Sequence, residues 1–174
     1  MRPWLFNFLM WWAVIGFSIW LGGTIFSMTV IVPMWSESPP ESVRNFFSTT
    51  SFNKHIFNFF GPPWMIARNL PLILALAVGW KSPLHRRFLA LAVLPLIAGI
   101  IFTITYIYPV NEVLMINAGA GKSADEIRDL TDKWILADRL RFLVMLSGYY
   151  FLLKAFKLPN PFHPRSTKAS PEPA

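Results

Sequence analysis

The sequence predicts an all-α fold: a four-transmembrane-helix bundle over residues 1–157, with an interfacial segment between helices 1 and 2 and a mobile cytoplasmic tail at 158–174. Three observations predict it. Hydrophobic residues make up 54 % of the 174, aromatics 16 % and charged residues only 14 %, a composition too apolar for an ordinary soluble domain. The first long segment, Trp4–Pro33, carries no charge and exceeds the roughly 20 residues that a helix needs to cross hydrocarbon. The net charge of +7 resides in connections and tail rather than in a basic stripe interleaved with aromatics. That placement fits the flanks of membrane helices and argues against nucleic acid as a partner.

Helix 1 is the charge-free run. A cleaved signal peptide would have a shorter apolar core and a small-residue cleavage site, but this chain has Phe26, Met28, Ile31 and Trp35 there, so the segment is expected to be retained. Gly16, Trp20, Gly23 and Ser27 share one face, and Ser18 with Gly22 makes a small-xxx-small pair; both read as packing surfaces. Residues 34–62 mix Pro39, Pro40, Glu41, Arg44, Lys54 and His55 with Phe46, Phe47, Phe52, Phe57, Phe59 and Phe60, a composition suited to the membrane interface. Gly61, Pro62 and Pro63 open helix 2, Trp64 to Trp80, which carries Arg68 and Asn69 about one turn in. Pro71 removes the amide that would bond the Ala67 carbonyl and loosens the helix there.

A basic connection, Lys81 to Arg87, leads to helix 3 from Phe88 to Tyr108, with Gly99, Thr103 and Tyr106 on one stripe. Pro109 begins the last connection, where Asn111 reads as the cap of a short helix starting at Glu112. Ser123, Ala124, Asp125 and Glu126 form a capping box, so a helix begins there and runs on as helix 4 to about Phe156.

Four spans place both termini on one side. Arg2, Lys81, Arg86, Arg87, Lys154, Lys157, Arg165 and Lys168 against Glu172 alone mark that side as cytoplasmic by the positive-inside rule. The other two connections hold Arg44, Lys54, Lys122, Arg128 and Lys133 against Glu37, Glu41, Glu112, Asp125, Glu126, Asp129 and Asp132. The expected location is a bacterial inner membrane, with lipid as the surrounding partner.

Within helix 4, Trp134, Asp138, Arg141, Met145 and Gly148 fall at i, i+4, i+7, i+11 and i+14, a single narrow stripe. An ionisable group at membrane depth costs about 2.5–3.5 kcal/mol on insertion scales and usually faces a partner or cavity. Asp138 and Arg141 read either as an ion pair that neutralises itself for insertion or as part of a site. Arg68, Asn69 and Asn111 reach a similar depth in this topology, and one ion pair needs neither a second arginine nor amides from other helices. Trp134 alone reads as an interface anchor, and Arg139, off the stripe, is expected to snorkel.

Several chemistries are set aside. The chain has no Cys, which removes disulfides, iron–sulfur clusters and thiolate chemistry. His55, His85 and His163 fall in three separate regions, so no metal site and no haem is expected. Gly119, Ala120, Gly121, Lys122 and Ser123 imitate the end of a phosphate-binding loop, but Ile116 stands where its first glycine belongs and no strand precedes it.

Pro109, Val110, Asn111, Glu112, Val113 and Leu114, followed by Trp134, Asp138 and Arg141 in the spacing W-x-x-x-D-x-x-R, resemble a family of small four-helix membrane proteins that includes the anthrone oxygenases. The likeness covers most of the chain as topology and these few positions as motif; Asn or His is commoner in the family where Asp138 stands. The resemblance implies an oxygenase of polycyclic, phenol-like substrates working without metal, flavin or other cofactor, the substrate anion itself reducing dioxygen. It casts Asp138, Arg141 and Asn111 as catalytic, with Asp138 as base and Asn111 and Arg141 at the oxyanion. Arg68, Asn69, Tyr106 and Trp134 become substrate-binding, the last two flanking an aromatic ring. A second class stays open: a non-catalytic bundle that binds a lipid, quinone or pigment, or serves as an accessory subunit beside membrane-protein partners.

Overall fold

A computed structural model describes residues 3–49, 55 and 58–162 of the chain, and among these every regular element is helical. Arg2, Phe52, Lys54, Phe57, His163, Arg165, Lys168 and Glu172, which entered the sequence reading, lie outside the described residues. In chain order the elements are α1 (Pro3–Phe26), α2 (Val32–Ser36), α3 (Glu41–Thr49), α4 (Pro62–Gly79), α5 (Pro83–Phe102), α6 (Tyr108–Asn111) and α7 (Ala124–Phe156). π-Helical turns at Ser27–Ile31 and Thr103–Ile107 join α1 to α2 and α5 to α6, and a third at Glu112–Ile116 prolongs α6. Two helical runs of 34 residues result, Pro3–Ser36 and Pro83–Ile116. These runs and Asn58–Gly79 are the three helices, among the described residues, long and apolar enough to cross a membrane.

Helix 3 therefore does not end at Tyr108, and Asn111 is not a cap. Its backbone is helical (φ −60°, ψ −38°) and its side chain caps nothing. The reason lies in a repeated pentapeptide, Thr29-Val30-Ile31-Val32-Pro33 and Thr105-Tyr106-Ile107-Tyr108-Pro109. Each proline withholds the amide that would bond the threonine carbonyl four residues back. Instead of breaking, the helix widens: Val32 and Tyr108 donate to the carbonyls of Ser27 and Thr103, five residues back. The Thr29 and Thr105 hydroxyls bond the carbonyls of Ile25 and Ile101, each at 2.8 Å, which keeps the preceding turns closed.

The four long helices pack in a ring, α1 on α4, α4 on α5, α5 on α7 and α7 on α1, so α1 faces α5 and α4 faces α7 across the middle. The core at one end is Phe6, Met10, Ala13, Phe17, Leu72, Ala75, Leu89, Leu96 and Leu152. Among the described residues the run that carries α4, Asn58–Gly79, has 22 residues, α7 has 33, and the runs through α1 and α5 have 34 each. The carbonyl of Ala67 orphaned by Pro71 is taken up by α1, whose Trp12 Nε1 donates to it at 3.0 Å. Trp12→Phe keeps the ring and loses this bond, and is expected to cost about 1–3 kcal/mol, the penalty of an unsatisfied carbonyl in apolar surroundings; denaturant titration in detergent measures it. The contacts along α1 differ from the expected small-xxx-small pair. Nothing approaches a side chain built at Gly22, whereas Gly16 admits Arg68 and Gly23 admits Phe59.

Beyond the end of α4, the other helices continue into a cap. Trp35, Val43, Phe47, Leu114, Ile127 and Trp134 form its core. Arg44 Nη2 donates to the Lys122 carbonyl at 3.3 Å and Arg128 Nε to the Pro39 carbonyl at 3.1 Å. The loop between carries Gly119 and Gly121 at φ +69° and +74°, a backbone that favours glycine. The capping box forms as expected: Glu126 N donates to Ser123 Oγ at 3.3 Å and Ser123 N to Glu126 Oε2 at 2.9 Å. That Ser123 amide, aided by the Lys122 ammonium, draws the Glu126 carboxyl down to about 2. The group is charged throughout ordinary conditions, and its stabilising effect is lost only as pH falls through that value. At the opposite end Asn160 Nδ2 donates to the Pro3 carbonyl and to Asn7 Oδ1, at 3.0 and 2.8 Å, holding the chain just past α7 against α1.

Candidate functional site

Beside the first turns of α4, the helices enclose a cavity of about 660 Å³. Its walls come in matched pairs. Ser27 and Thr103, Ile31 and Ile107, and Trp35 and Asn111 occupy corresponding positions around the two pentapeptides, and all six line it. Asn58 and Met65 from the α4 side face Trp134 and Arg141 of α7. All three π-helical turns contribute wall residues. Such turns insert an extra residue and re-aim the side chains after them, which is why they recur at functional sites.

The charged wall is α7. Asp138, buried to 3 % exposure, accepts a hydrogen bond from Arg141 Nη2 through Oδ1. Arg141 Nη1 donates to Thr103 Oγ1 at 3.1 Å, and that hydroxyl donates in turn to the Gly99 carbonyl at 2.7 Å. The guanidinium is thus fixed from two helices, while its Nε is buried without a partner. Next along the wall, Trp134 is buried rather than anchored at an interface, and its Nε1 donates to Asn111 Oδ1 at 2.6 Å. Its ring meets Trp35 edge to face, centroids 5.2 Å apart. Asn111 therefore joins α6 to α7 at the cavity, and its amide nitrogen is left to face a ligand.

Arg68, Asn69 and Tyr106 do not line the cavity. Arg68 lies behind Trp20, its guanidinium carbon 4.6 Å from that ring centroid and 5.3 Å from that of Phe17, and Nε donates to Asn69 Oδ1 at 2.9 Å. Trp20 is itself a wall residue. Arg68 is close enough to Arg141 for their charges to repel. Tyr106 stacks on Phe102, centroids 5.4 Å apart, away from the cavity. Arg139, as its register predicts, is exposed.

The sequence pattern of the family described as anthrone oxygenase matches residues 50–151. The chain belongs to the anthrone oxygenase family. Neither a curated protein nor a solved structure matches it. The matched residues hold Asn111, Trp134, Asp138 and Arg141, but Trp20, Thr24, Ser27, Ile31 and Trp35 precede them. In this member of the anthrone oxygenase family an entire wall comes from outside the matched segment. Among the described residues no three His, Asp or Glu side chains gather as a metal would require.

The wall residues of α1 and α2 are the ones sequence reasoning missed. Trp20 and Ser27 were on a face read as packing surface, and Trp35 was passed over because the helix was expected to end at Pro33. The pentapeptide shared with the asparagine-bearing helix was the available signal.

Proposed function

We propose that the chain crosses the membrane four times with both termini cytoplasmic, in a bacterial inner membrane, and oxygenates an aromatic substrate held in the cavity. The fourth crossing is α7. Charges crowd its first half, but from Phe142 to Phe156 it is apolar except for Lys154, and Leu143, Val144, Leu146 and Tyr150 are exposed as lipid-facing residues would be. The basic residues beside Lys81 and Lys154 support the orientation.

The observation that carries the function is an ion pair lining a roomy, aromatic-walled cavity in a chain of this family. An ion pair needed only for insertion gains nothing from an empty space beside it. The substrate class is an aromatic ketone with a benzylic CH2 whose deprotonation places negative charge on oxygen. Asp138, paired with Arg141, takes that proton. As it does so, its hold on Arg141 weakens and the guanidinium turns to the new oxyanion, so one charge pair replaces another without a net change of buried charge. The Asn111 amide supplies a further donor. The anion passes an electron to dioxygen, the two radicals join as a peroxide on the same carbon, and loss of water leaves a carbonyl: CH2 and O2 become C=O and H2O. No added cofactor enters this scheme.

Purified protein is expected to accelerate oxygen uptake with an anthrone-like substrate in the presence of a chelator. Asp138→Asn and Arg141→Ala should each lower that rate by about 100-fold or more, the usual scale for a general base or an oxyanion donor. Wild-type protein inert toward such substrates, yet isolated with a stoichiometric membrane partner, would instead identify an accessory subunit.

A further inference from the structure

The cavity has a mouth, and its position says where a ligand comes from. Tyr108, Glu112 and Ile116 line the cavity and are nonetheless exposed, Ile116 to 68 %. Residues with both properties form its rim. They follow one another at i, i+4 and i+8 on a single helix, so this edge runs along the helix axis for about 12 Å. A rim of that shape bounds a slot in the side of the protein rather than a hole at its end. Asn58, also exposed and lining, marks the opposite edge.

The axial route is closed. Over the end of the cavity lie Val43, Leu114 and Ile127, each fully buried, under the ties from Arg44 and Arg128 across to neighbouring carbonyls. The lateral route faces lipid. The slot lies on a candidate membrane span, directly beyond the exposed Ile101 and Ile104 of the same helix. Tyr108 and Glu112 on its edge are residue types that favour the boundary between hydrocarbon and headgroups.

We infer that the cavity is loaded sideways from the interfacial layer of the membrane, and that its ligand is a membrane-partitioned amphiphile: a flat apolar body bearing one anionic or hydrogen-bond-accepting group. The apolar body fits between the aromatic walls, and the polar group meets the guanidinium of Arg141 on the α7 wall. This rests on reading the long helices as membrane-embedded and the cavity as a ligand site, and is independent of the oxygenase chemistry.

The chain has no cysteine, so Thr24→Cys places a single thiol on a buried part of the cavity wall. The protein is reconstituted in phosphatidylcholine–phosphatidylglycerol nanodiscs and exposed either to pyrenyl maleimide or to a permanently charged methanethiosulfonate. The pyrene reagent is expected to label faster by about tenfold or more relative to each reagent's reaction with a free thiol, because an apolar ring system concentrates in the interfacial layer and a fixed charge stays in water. Adding Ile116→Trp, or Asn58→Trp from the other edge, should slow pyrene labelling; both positions are exposed, so folding is not challenged. Arg44→Ala with Arg128→Ala, which loosens the cap, should leave it unchanged. Equal labelling by the charged reagent, acceleration on loosening the cap, or a thiol that neither reagent reaches until the protein is unfolded would each overturn the inference. Labelling requires no turnover, so a laterally accessible but inactive protein would sustain the entry route while removing the oxygenase reading.

Discussion

Replacing Asp138 and Arg141 together with leucine is expected to give a protein that folds at least as well as the wild type and has lost its function. Apolar residues of similar volume often equal or outperform a buried ion pair, by as much as about 1–4 kcal/mol. The surroundings permit it here, since Thr103 keeps its bond to the Gly99 carbonyl when Arg141 is gone. The single replacements differ. Asp138→Leu leaves Arg141 unpaired in the buried wall and still repelled by Arg68, and should cost about 3–5 kcal/mol. Arg141→Leu likewise leaves the Asp138 carboxylate unpaired but removes the repulsion from Arg68, so it should cost less. Thermal stability and ligand binding or oxygen uptake are read on the same preparation. A stable, fully active double variant would show that the pair serves insertion alone.

The second large effect is expected at Gly148. A Cβ there would stand 3.0 Å from the Ala92 carbonyl oxygen and 3.3 Å from Pro95 Cβ. These are backbone and ring atoms that cannot step aside, at the most extensive helix contact in the fold, between α5 and α7. Gly148→Val must separate the two helices, costing about 1–3 kcal/mol or more. Because Arg141 reaches Thr103 across the same contact, the cavity should lose its shape as well. Two other glycines serve as controls. At Gly99 the near atom is Met145 Sδ, 2.7 Å away on a flexible side chain, so Gly99→Ala should be tolerated. At Gly22 nothing is near, and Gly22→Ala should gain up to about 1 kcal/mol of helix propensity. Denaturant midpoints that fail to rank Gly148→Val far below both would refute this packing account.

What the sequence disclosed depended on whether a residue acts through its own helix. Asp138 and Arg141 are three positions apart on an uninterrupted helix, so periodicity alone brings them together, and the capping box at Ser123 is equally local. Asn111 and Trp134 were named as site residues without the bond that joins them. They belong to separate elements, and the helix carrying Asn111 was thought to have ended. Prolines 33 and 109 misled because a proline normally stops a helix, whereas here the widened turn absorbs the missing amide. Because the helix runs on through each such turn, Trp35 and Asn111 continue the stripes that Ser27 and Thr103 begin, at i+8 from each. Arg68 was at the right height but behind the wall, since which side of Trp20 it occupies is a matter of packing.

The matched pairs around the cavity agree in position but not in chemistry. Across the diagonal from α7, the counterpart of Arg141 is Met65 and the counterpart of Trp134 is Asn58, and no carboxylate stands opposite Asp138. The matched positions repeat around the enclosure, while the charged groups buried in its lining, Asp138 and Arg141, stand on one long side. A flat guest with near-twofold shape of its own can enter in two poses that fill the space equally well but differ in whether its polar edge meets a guanidinium or a thioether. The pose is therefore set by the electric field across the cavity rather than by its outline, and of two similar ring carbons only one is carried to the carboxylate. Regiochemistry in such a protein would be written into the difference between its two halves.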